Sequence, residues 1–152
     1  MRHRAPGLLG ILLLASLPIG ATEQRCNALR TLELPDLQIT STEWSPEGRF
    51  APDPPLPALA LPVPAHCTVS GVISAAPGSE IRFEVWLPVD GWNGKYQGVG
   101  NGGFAGRLSR AEMAAAVQRG FATATTDTGH GQVGTEVWAR NQPEKIKDSK
   151  EI

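Results

Sequence analysis

Positively charged side chains are scarce in this sequence. There are 14 Lys and Arg residues against 15 Asp and Glu in 152 residues, and the cations are scattered apart from a short cluster near the end. A protein that binds nucleic acid normally carries a basic patch that contacts the phosphate backbone. We therefore do not expect a nucleic-acid partner.

Cysteine is nearly absent, since Cys26 and Cys67 are the only two. No histidine is spaced with both of them as a zinc site requires, so we expect no metal site, and His66 is expected to be a surface or packing residue. An even cysteine count in an exported chain favours a disulfide that closes a loop of about 40 residues. Two buried or reactive thiols are the alternative.

Long apolar runs are missing too, except at the start of the chain. Arg2 and Arg4 precede an apolar run over residues 7–17, and small residues follow up to Ala21. This pattern predicts a signal peptide over residues 1–21, because the run is shorter than the roughly 20 residues of a membrane span. We expect a secreted or periplasmic protein without membrane contact after cleavage. An uncleaved membrane anchor is the alternative.

Residues 22–66 have a composition of their own. Seven prolines fall between Ser45 and Pro64, at positions 46, 52, 54, 55, 57, 62 and 64. Proline removes a backbone donor and fixes φ, so this stretch is predicted to lack regular structure. We interpret residues 22–66 as an extended proline-rich arm that a disulfide ties to the first strand.

The remaining residues carry the periodic patterns of a small α/β unit. Two strands, Cys67 to Ala75 and Ile81 to Leu87, flank the turn Pro77-Gly78-Ser79 and predict an antiparallel hairpin. A strand from Lys95 to Val99 then leads through Gly100-Asn101-Gly102-Gly103 into a helix. Ser109 and Glu112 have the spacing of a capping box, and Gly120 is expected to end that helix.

A last strand, Phe121 to Thr126, follows the helix. Strand, helix and strand in this length form a right-handed crossover, which predicts a parallel pair after the hairpin. We expect the strand that ends at Thr126 to have few neighbours. The glycine turn and the loop Asp127–Gly131 should then lie together at the carboxyl edge of the sheet. Bare N–H groups in the glycine turn can hold an anion or oxyanion, although glycine clusters more often serve only a tight turn.

Four motifs in one order make the sequence resemble the tannase and feruloyl esterase family. They are HC-V-G-I at 66–73, FEVWLP with WNGK at 83–95, GNGGFAG at 100–106 and GFATATTDTGHG at 120–131. The similarity extends from about Cys26 to about Asp148. It implies a secreted α/β-hydrolase that cleaves esters of aromatic acids, such as gallate or ferulate, with a Ser-His-Asp triad.

The resemblance also implies roles for single residues. Gly102 or Gly103 would donate a backbone N–H to the oxyanion, and Cys26 and Cys67 match the amino-terminal disulfide of the family. Asp127 and His130 are triad residue types, but the family takes its triad from much later in the chain. We therefore expect them to structure their loop, with Asp127 accepting backbone N–H bonds and His130 donating to a carbonyl.

The family's nucleophile motif is missing. No Gly-x-Ser-x-Gly occurs in the sequence, so the chain lacks the nucleophile elbow and the triad. We expect residues 67–152 to be the truncated first half of an α/β-hydrolase domain, without cofactor and without the calcium site of the family's lid domain. The predicted function is a fragment of an aromatic-ester hydrolase that is inactive alone. A small secreted module that binds carbohydrate or phenolic rings through Trp44, Trp86, Trp92 and Trp138 is the alternative.

Overall fold

The structure is a computed structural model that describes residues 19–51, 60–100, 102, 106–130, 141, 143 and 146. Its main elements are one mixed five-stranded sheet, a separate two-stranded ribbon and two helices. In chain order they are α1 (Ile19–Ala28), a 3₁₀ turn (Leu29–Thr31), β1 (Leu37–Ser45), β2 (Gly48–Phe50), β3 (Leu61–Val63), β4 (His66–Ile73), β5 (Ile81–Pro88), β6 (Tyr96–Gly98), α2 (Arg110–Gln118) and β7 (Ala122–Thr126). No helix among these described residues is long and apolar enough to cross a membrane.

The central sheet has the strand order β1-β4-β5-β7-β6. Strands β4 and β5 pair antiparallel over their full length, from His66 opposite Pro88 to Ile73 opposite Ile81. Strands β6 and β7 are parallel neighbours joined through α2. The predicted order, an antiparallel hairpin followed by a parallel crossover, is confirmed.

The strand that ends at Thr126 is not short of neighbours, and that prediction is wrong. β7 lies between β5, which it pairs antiparallel from Phe83 opposite Thr126, and β6. A right-handed crossover fixes the direction of the returning strand but leaves open on which side of its partner it inserts. The edges of the described sheet are therefore β1 and β6.

The proline-rich segment also contributes strands. β1 pairs antiparallel with β4 from Leu37 opposite Ile73 to Ser45 opposite His66, and it extends the sheet. β2 and β3 pair with each other, with Arg49 opposite Pro62. The prediction that residues 45–64 lack regular structure is wrong at both ends of that range, because a proline is tolerated in a ribbon of two edge strands whose outer N–H groups need no partner.

Both faces of the sheet are covered. On the face that we call the disulfide face, Cys26 of α1 packs with Cys67, Val69 and Phe83. On the opposite face, called the helix face, α2 and β3 cover Trp86 with a cluster of Val63, Met113, Ala114 and Val117. β5 is consequently covered on both sides, and Trp86 is only 5% exposed.

Helix α2 begins after Ser109 and ends before Gly120, as the sequence predicts, but its first turn is not capped as predicted. Gly120 has φ +81°, and a side chain there would lie 2.5 Å from the carbonyl oxygen of Gly91, so only glycine fits. At the start, Ser109 precedes the helix but makes no side-chain capping bond, so the predicted capping box with Glu112 is wrong. The Ser109 hydroxyl instead donates to the carbonyl of Gly100 at 3.0 Å.

Candidate functional site

Two loops meet at one edge of the sheet. β6 and β7 run parallel and end at Gly98 and Thr126, so the glycine turn and the loop that begins at Asp127 leave the same edge. In open α/β sheets this carboxyl edge is where ligands bind. It is the candidate functional site.

The glycine turn is described only in part. Gly102 is exposed, and a side chain built on it would meet no atom within 4 Å, which leaves that side of its backbone open to an approaching group. Gly103 lies outside the described residues. The role of Gly102 or Gly103 as oxyanion donor therefore stays a prediction.

The strands on either side fix both ends of the glycine turn. The N–H of Val99 donates to the carbonyl of Ala124 at 2.8 Å, which holds the start of the turn against β7. At the far end, the N–H of Ser109 donates to Thr125 Oγ1 at 3.2 Å, while the hydroxyl of Ser109 bonds Gly100. Sequence reasoning assigned Ser109 to the helix, because its spacing from Glu112 fits a cap and its bond to Gly100 depends on the tertiary fold.

An ion pair between the half-exposed Arg110 and the buried Glu84 adjoins that end of the turn. Arg110, the first residue of α2, donates from Nη2 to Glu84 Oε2 at 2.7 Å and from Nε to both carboxylate oxygens at 3.0 and 3.1 Å. Trp86 Nε1 donates to Glu84 Oε1 at 2.7 Å. The Glu84 side chain is only 5% exposed, so its charge needs these donors. The sequence signal for this pair is an acidic residue in the middle of a strand with apolar neighbours on both faces.

Asp127 organises the second loop through backbone bonds. Its Oδ1 accepts from the N–H of Arg82 at 2.9 Å and from the N–H of Gly129 at 3.0 Å, and the residue is 6% exposed. The N–H of Asp127 also donates to the carbonyl of Arg82. These contacts join the loop to the start of β5 and suit a residue that structures the loop.

His130 contacts the same loop through a threonine. The Thr128 hydroxyl donates to the carbonyl of Asp127 at 2.7 Å and lies 2.7 Å from His130 Nε2. That hydroxyl donates its single hydrogen to the carbonyl of Asp127, so it must accept the second bond. His130 Nε2 is therefore the donor to Thr128 Oγ1. Thr128 has φ +55°, an uncommon value for a branched residue, which the bonds of its neighbours hold in place.

The cysteines lie far from this edge. Cys26 and Cys67 form a disulfide with a Cα–Cα distance of 5.6 Å, and both are buried. The predicted pairing is confirmed. It fastens α1 to β4 on the disulfide face, so its role is to hold the amino-terminal segment on the sheet.

A cavity of about 400 Å³, lined by both polar and apolar side chains, opens on the helix face. Its lining includes His66, whose ring stacks on Trp86 with centroids 4.5 Å apart and whose Nδ1 lies 2.9 Å from the carbonyl oxygen of Pro64. Burial lowers the pKa of His66 below its usual 6.5, although the Pro64 carbonyl, Glu84 and Glu43 act in the opposite direction. The neutral ring therefore donates from Nδ1, which agrees with a packing role. The described residues contain no group of three or more side chains that could hold a metal ion.

Comparisons with known proteins identify a family to which the chain is similar. A family model described as "Tannase and feruloyl esterase" matches residues 67–149. The chain is 44% identical over 137 residues to an uncharacterised esterase of Xanthomonas campestris, covering 88% of this chain and 23% of that protein. It is 32% identical over 135 residues to a probable feruloyl esterase B-1 of Aspergillus fumigatus, covering 83% of this chain and 25% of that protein.

The fold agrees with a solved structure from the same group. Feruloyl esterase B from Aspergillus oryzae superimposes with a TM-score of 0.70 at 24% identity, over 84% of this chain and 26% of that structure. The predicted fold class, a partial α/β-hydrolase sheet, is confirmed. The chain spans about a quarter of the length of these relatives.

Proposed function

The chain belongs to the tannase and feruloyl esterase family, and on that premise we propose that it is the amino-terminal part of a secreted serine esterase that hydrolyses esters of aromatic acids. The observation that carries the proposal is the meeting of the glycine turn and the Asp127 loop at the carboxyl edge of β6 and β7. This is the place where such a sheet can bind a small ester.

The part that this chain plays in the reaction is to hold the oxyanion. When a serine attacks an ester carbonyl, negative charge develops on the carbonyl oxygen, and backbone N–H groups stabilise it. Gly102 or Gly103 would supply such a group. Removing one donor of this kind typically costs about 3 kcal/mol of transition-state stabilisation. The serine, and the histidine that accepts its proton, would come from the part of the relatives that this chain does not span.

We propose further that the chain has no esterase activity by itself. Its sequence contains no Gly-x-Ser-x-Gly, so no serine stands in a nucleophile elbow. The buried bonds of Asp127 also leave its carboxylate engaged with backbone donors rather than with a catalytic base.

Methyl ferulate and methyl gallate hydrolysis tests both statements. We expect no rate above the uncatalysed blank for the chain alone. We expect measurable hydrolysis when the whole chain is fused to the remainder of the Xanthomonas campestris esterase that follows the matched segment. A rate from the chain alone that a serine-directed organophosphate abolishes would contradict inactivity. A folded fusion without any esterase activity would contradict the proposed function.

The secretory part of the proposal rests on two features. The first 21 residues have the composition of a signal peptide, and the Cys26–Cys67 disulfide suits an oxidising compartment. Amino-terminal sequencing of exported protein should begin at Thr22. Recovery of the unprocessed chain from the cytoplasm would contradict secretion.

One observation favours the alternative, a small module that binds sugar or phenolic rings. Trp92 is 61% exposed, and its indole N–H donates to the carbonyl of Lys95 at 3.0 Å, which holds the ring in place. A fixed exposed ring can stack on a sugar or an aromatic acid. Trp86 does not serve this role because it is 5% exposed and covered by α2. Binding of ferulate or xylo-oligosaccharide to the chain, lost in Trp92→Ala, would favour the module.

A further inference from the structure

One buried serine, Ser109, bonds the first residue of the glycine turn. Ser109 is 6% exposed and immediately precedes α2. Its hydroxyl donates to the carbonyl of Gly100 at 3.0 Å, so it closes the loop from Gly100 to Ser109 across its mouth. A serine before a helix ordinarily caps the first turn, but this hydroxyl bonds the loop instead.

The same residue is fastened to the centre of the sheet. Its N–H donates to Thr125 Oγ1 at 3.2 Å, and Thr125 is 2% exposed on β7. Thr125 lies opposite Glu84 in the sheet register, and Glu84 binds Arg110, the residue that follows Ser109. The bond of the Ser109 N–H is therefore buried, the bond of its hydroxyl to the exposed Gly100 is partly buried, and the adjacent ion pair ties the same end of α2 to β5.

We propose that Ser109 is a positioning residue for the oxyanion-binding turn, acting through Gly100 and together with Thr125. This inference rests on the proposed function. Oxyanion donors are effective only when they are held at hydrogen-bond distance from the developing charge, and small displacements cost large factors in rate. The bond of the Ser109 hydroxyl to Gly100 and the bond of its N–H to Thr125 hold Gly100 in place relative to β7. Gly100 precedes Gly102 by two residues, so these bonds position the N–H of Gly102.

Amide hydrogen exchange of the whole chain tests the positioning directly. Ser109→Ala removes the bond to Gly100, and Thr125→Val removes the acceptor for the Ser109 N–H with little change in shape. We expect both variants to speed exchange of the amides in residues 99–109 by about fivefold or more, above all those of Val99 and Ser109, whose N–H bonds hold the two ends of the turn, while amides of β4 and β5 keep their rates. Thr125→Ser retains the hydroxyl, so in this variant exchange of the same amides should stay as slow as in the parent protein.

Thr40→Val is the matched control. The Thr40 hydroxyl also donates to a backbone carbonyl, that of Ser70 at 3.2 Å, but Thr40 lies on β1, the edge strand farthest from β6. This variant should leave exchange at residues 99–109 unchanged. Unchanged exchange at residues 99–109 in both Ser109→Ala and Thr125→Val would overturn the proposal, as would equal acceleration throughout the sheet.

Kinetics of the esterase fusion separate this proposal from the proposed function. In the fusion, Ser109→Ala should lower kcat for methyl ferulate about tenfold with little change in KM, and Thr125→Ser should keep kcat close to the parent value. A kcat unchanged by Ser109→Ala would overturn the positioning role. A parent fusion that is folded and inactive would count against the proposed function, and the exchange rates of the chain would then decide the proposal on Ser109 by themselves.

Discussion

The two halves of the sheet are held together by different kinds of contact. In the half formed by β1, β4 and β5, which we call the disulfide region, long antiparallel strands pair over most of their length and a disulfide joins them to α1. In the half formed by β6, β7 and α2, which we call the glycine-turn region, β6 pairs with β7 only from Tyr96 opposite Ala122 to Gly98 opposite Ala124.

The difference separates a region that stabilises the fold from a region that contains the candidate site. Apolar burial supports both regions, through Val69 and Phe83 in one and Met113 and Val117 in the other. The disulfide region also has a covalent bond, whereas the loops of the glycine-turn region are held by single polar contacts such as those of Ser109 and Asp127. Loops that bind ligands normally project from a rigid scaffold. The disulfide region has the properties of that scaffold.

Removing the disulfide should give the largest effect. The double substitution Cys26→Ala and Cys67→Ala opens a loop whose ends are 41 residues apart. The chain-entropy model assigns about 4 kcal/mol to a loop of that size. We expect a loss of that order in the free energy of unfolding, measured by denaturant titration with tryptophan fluorescence. The parent protein in reductant should match the double variant, and equal stability of all three samples would contradict the role of the disulfide as the main fastening of α1.

A pair of glycines tests whether the disulfide region is the more tightly packed. A side chain at Gly71 of β4 would lie 2.6 Å from the ring of Phe83, whereas at Gly100 it would meet no atom within 4 Å. Gly71→Ala should therefore cost about 2 to 3 kcal/mol of stability because the core is overpacked. Gly100→Ala should change it by less than about 0.5 kcal/mol. Equal losses in thermal melts of the two variants would contradict the contrast.

Local signals made much of the fold predictable from the sequence. The alternation of Ile81, Phe83 and Val85 predicts β5, and Gly120 correctly predicts the end of α2. The order of the strands in the sheet was harder to predict from the sequence. β1 pairs with β4, and β7 inserts between β5 and β6, through contacts between residues that are distant in the chain.

The candidate site was predictable to the level of its loops but not of its contacts. Glycines and small polar residues after two strands mark the edge where the site lies. The partners of Ser109 and Glu84 could not be read in the same way. Ser109 bonds Gly100 instead of capping α2, and Glu84 meets Arg110 of the helix, and both contacts arise only when α2 packs on the sheet.

The ion pair of the buried Glu84 carboxylate with Arg110 should contribute more to stability than a pair in which both side chains are exposed. Arg110→Met keeps an unbranched side chain but leaves the buried carboxylate of Glu84 without its cation, and we expect a loss of about 2 kcal/mol. The matched control is Arg82→Met. Arg82 lies 3.8 Å from Glu80 with both side chains more than 60% exposed, so it should cost less than about 0.5 kcal/mol. Similar losses of stability in both variants would show that the burial of Glu84 does not strengthen its pairing with Arg110.

The smallest predicted effect is a dependence of stability on pH at His66. Burial lowers the pKa of this ring in the folded protein, so the unfolded chain binds a proton more readily. Stability should accordingly be full above the unfolded pKa of about 6.5 and should fall as the pH drops below it. His66→Phe keeps an aromatic ring against Trp86 but cannot take up a proton. Between about pH 7.5 and pH 5.5 the parent should lose more unfolding free energy than this variant, because the carboxylates that also titrate in acid are common to both proteins. Parallel pH profiles, or a parent that becomes more stable in acid relative to the variant, would show that burial of the ring against Trp86 does not hold His66 neutral.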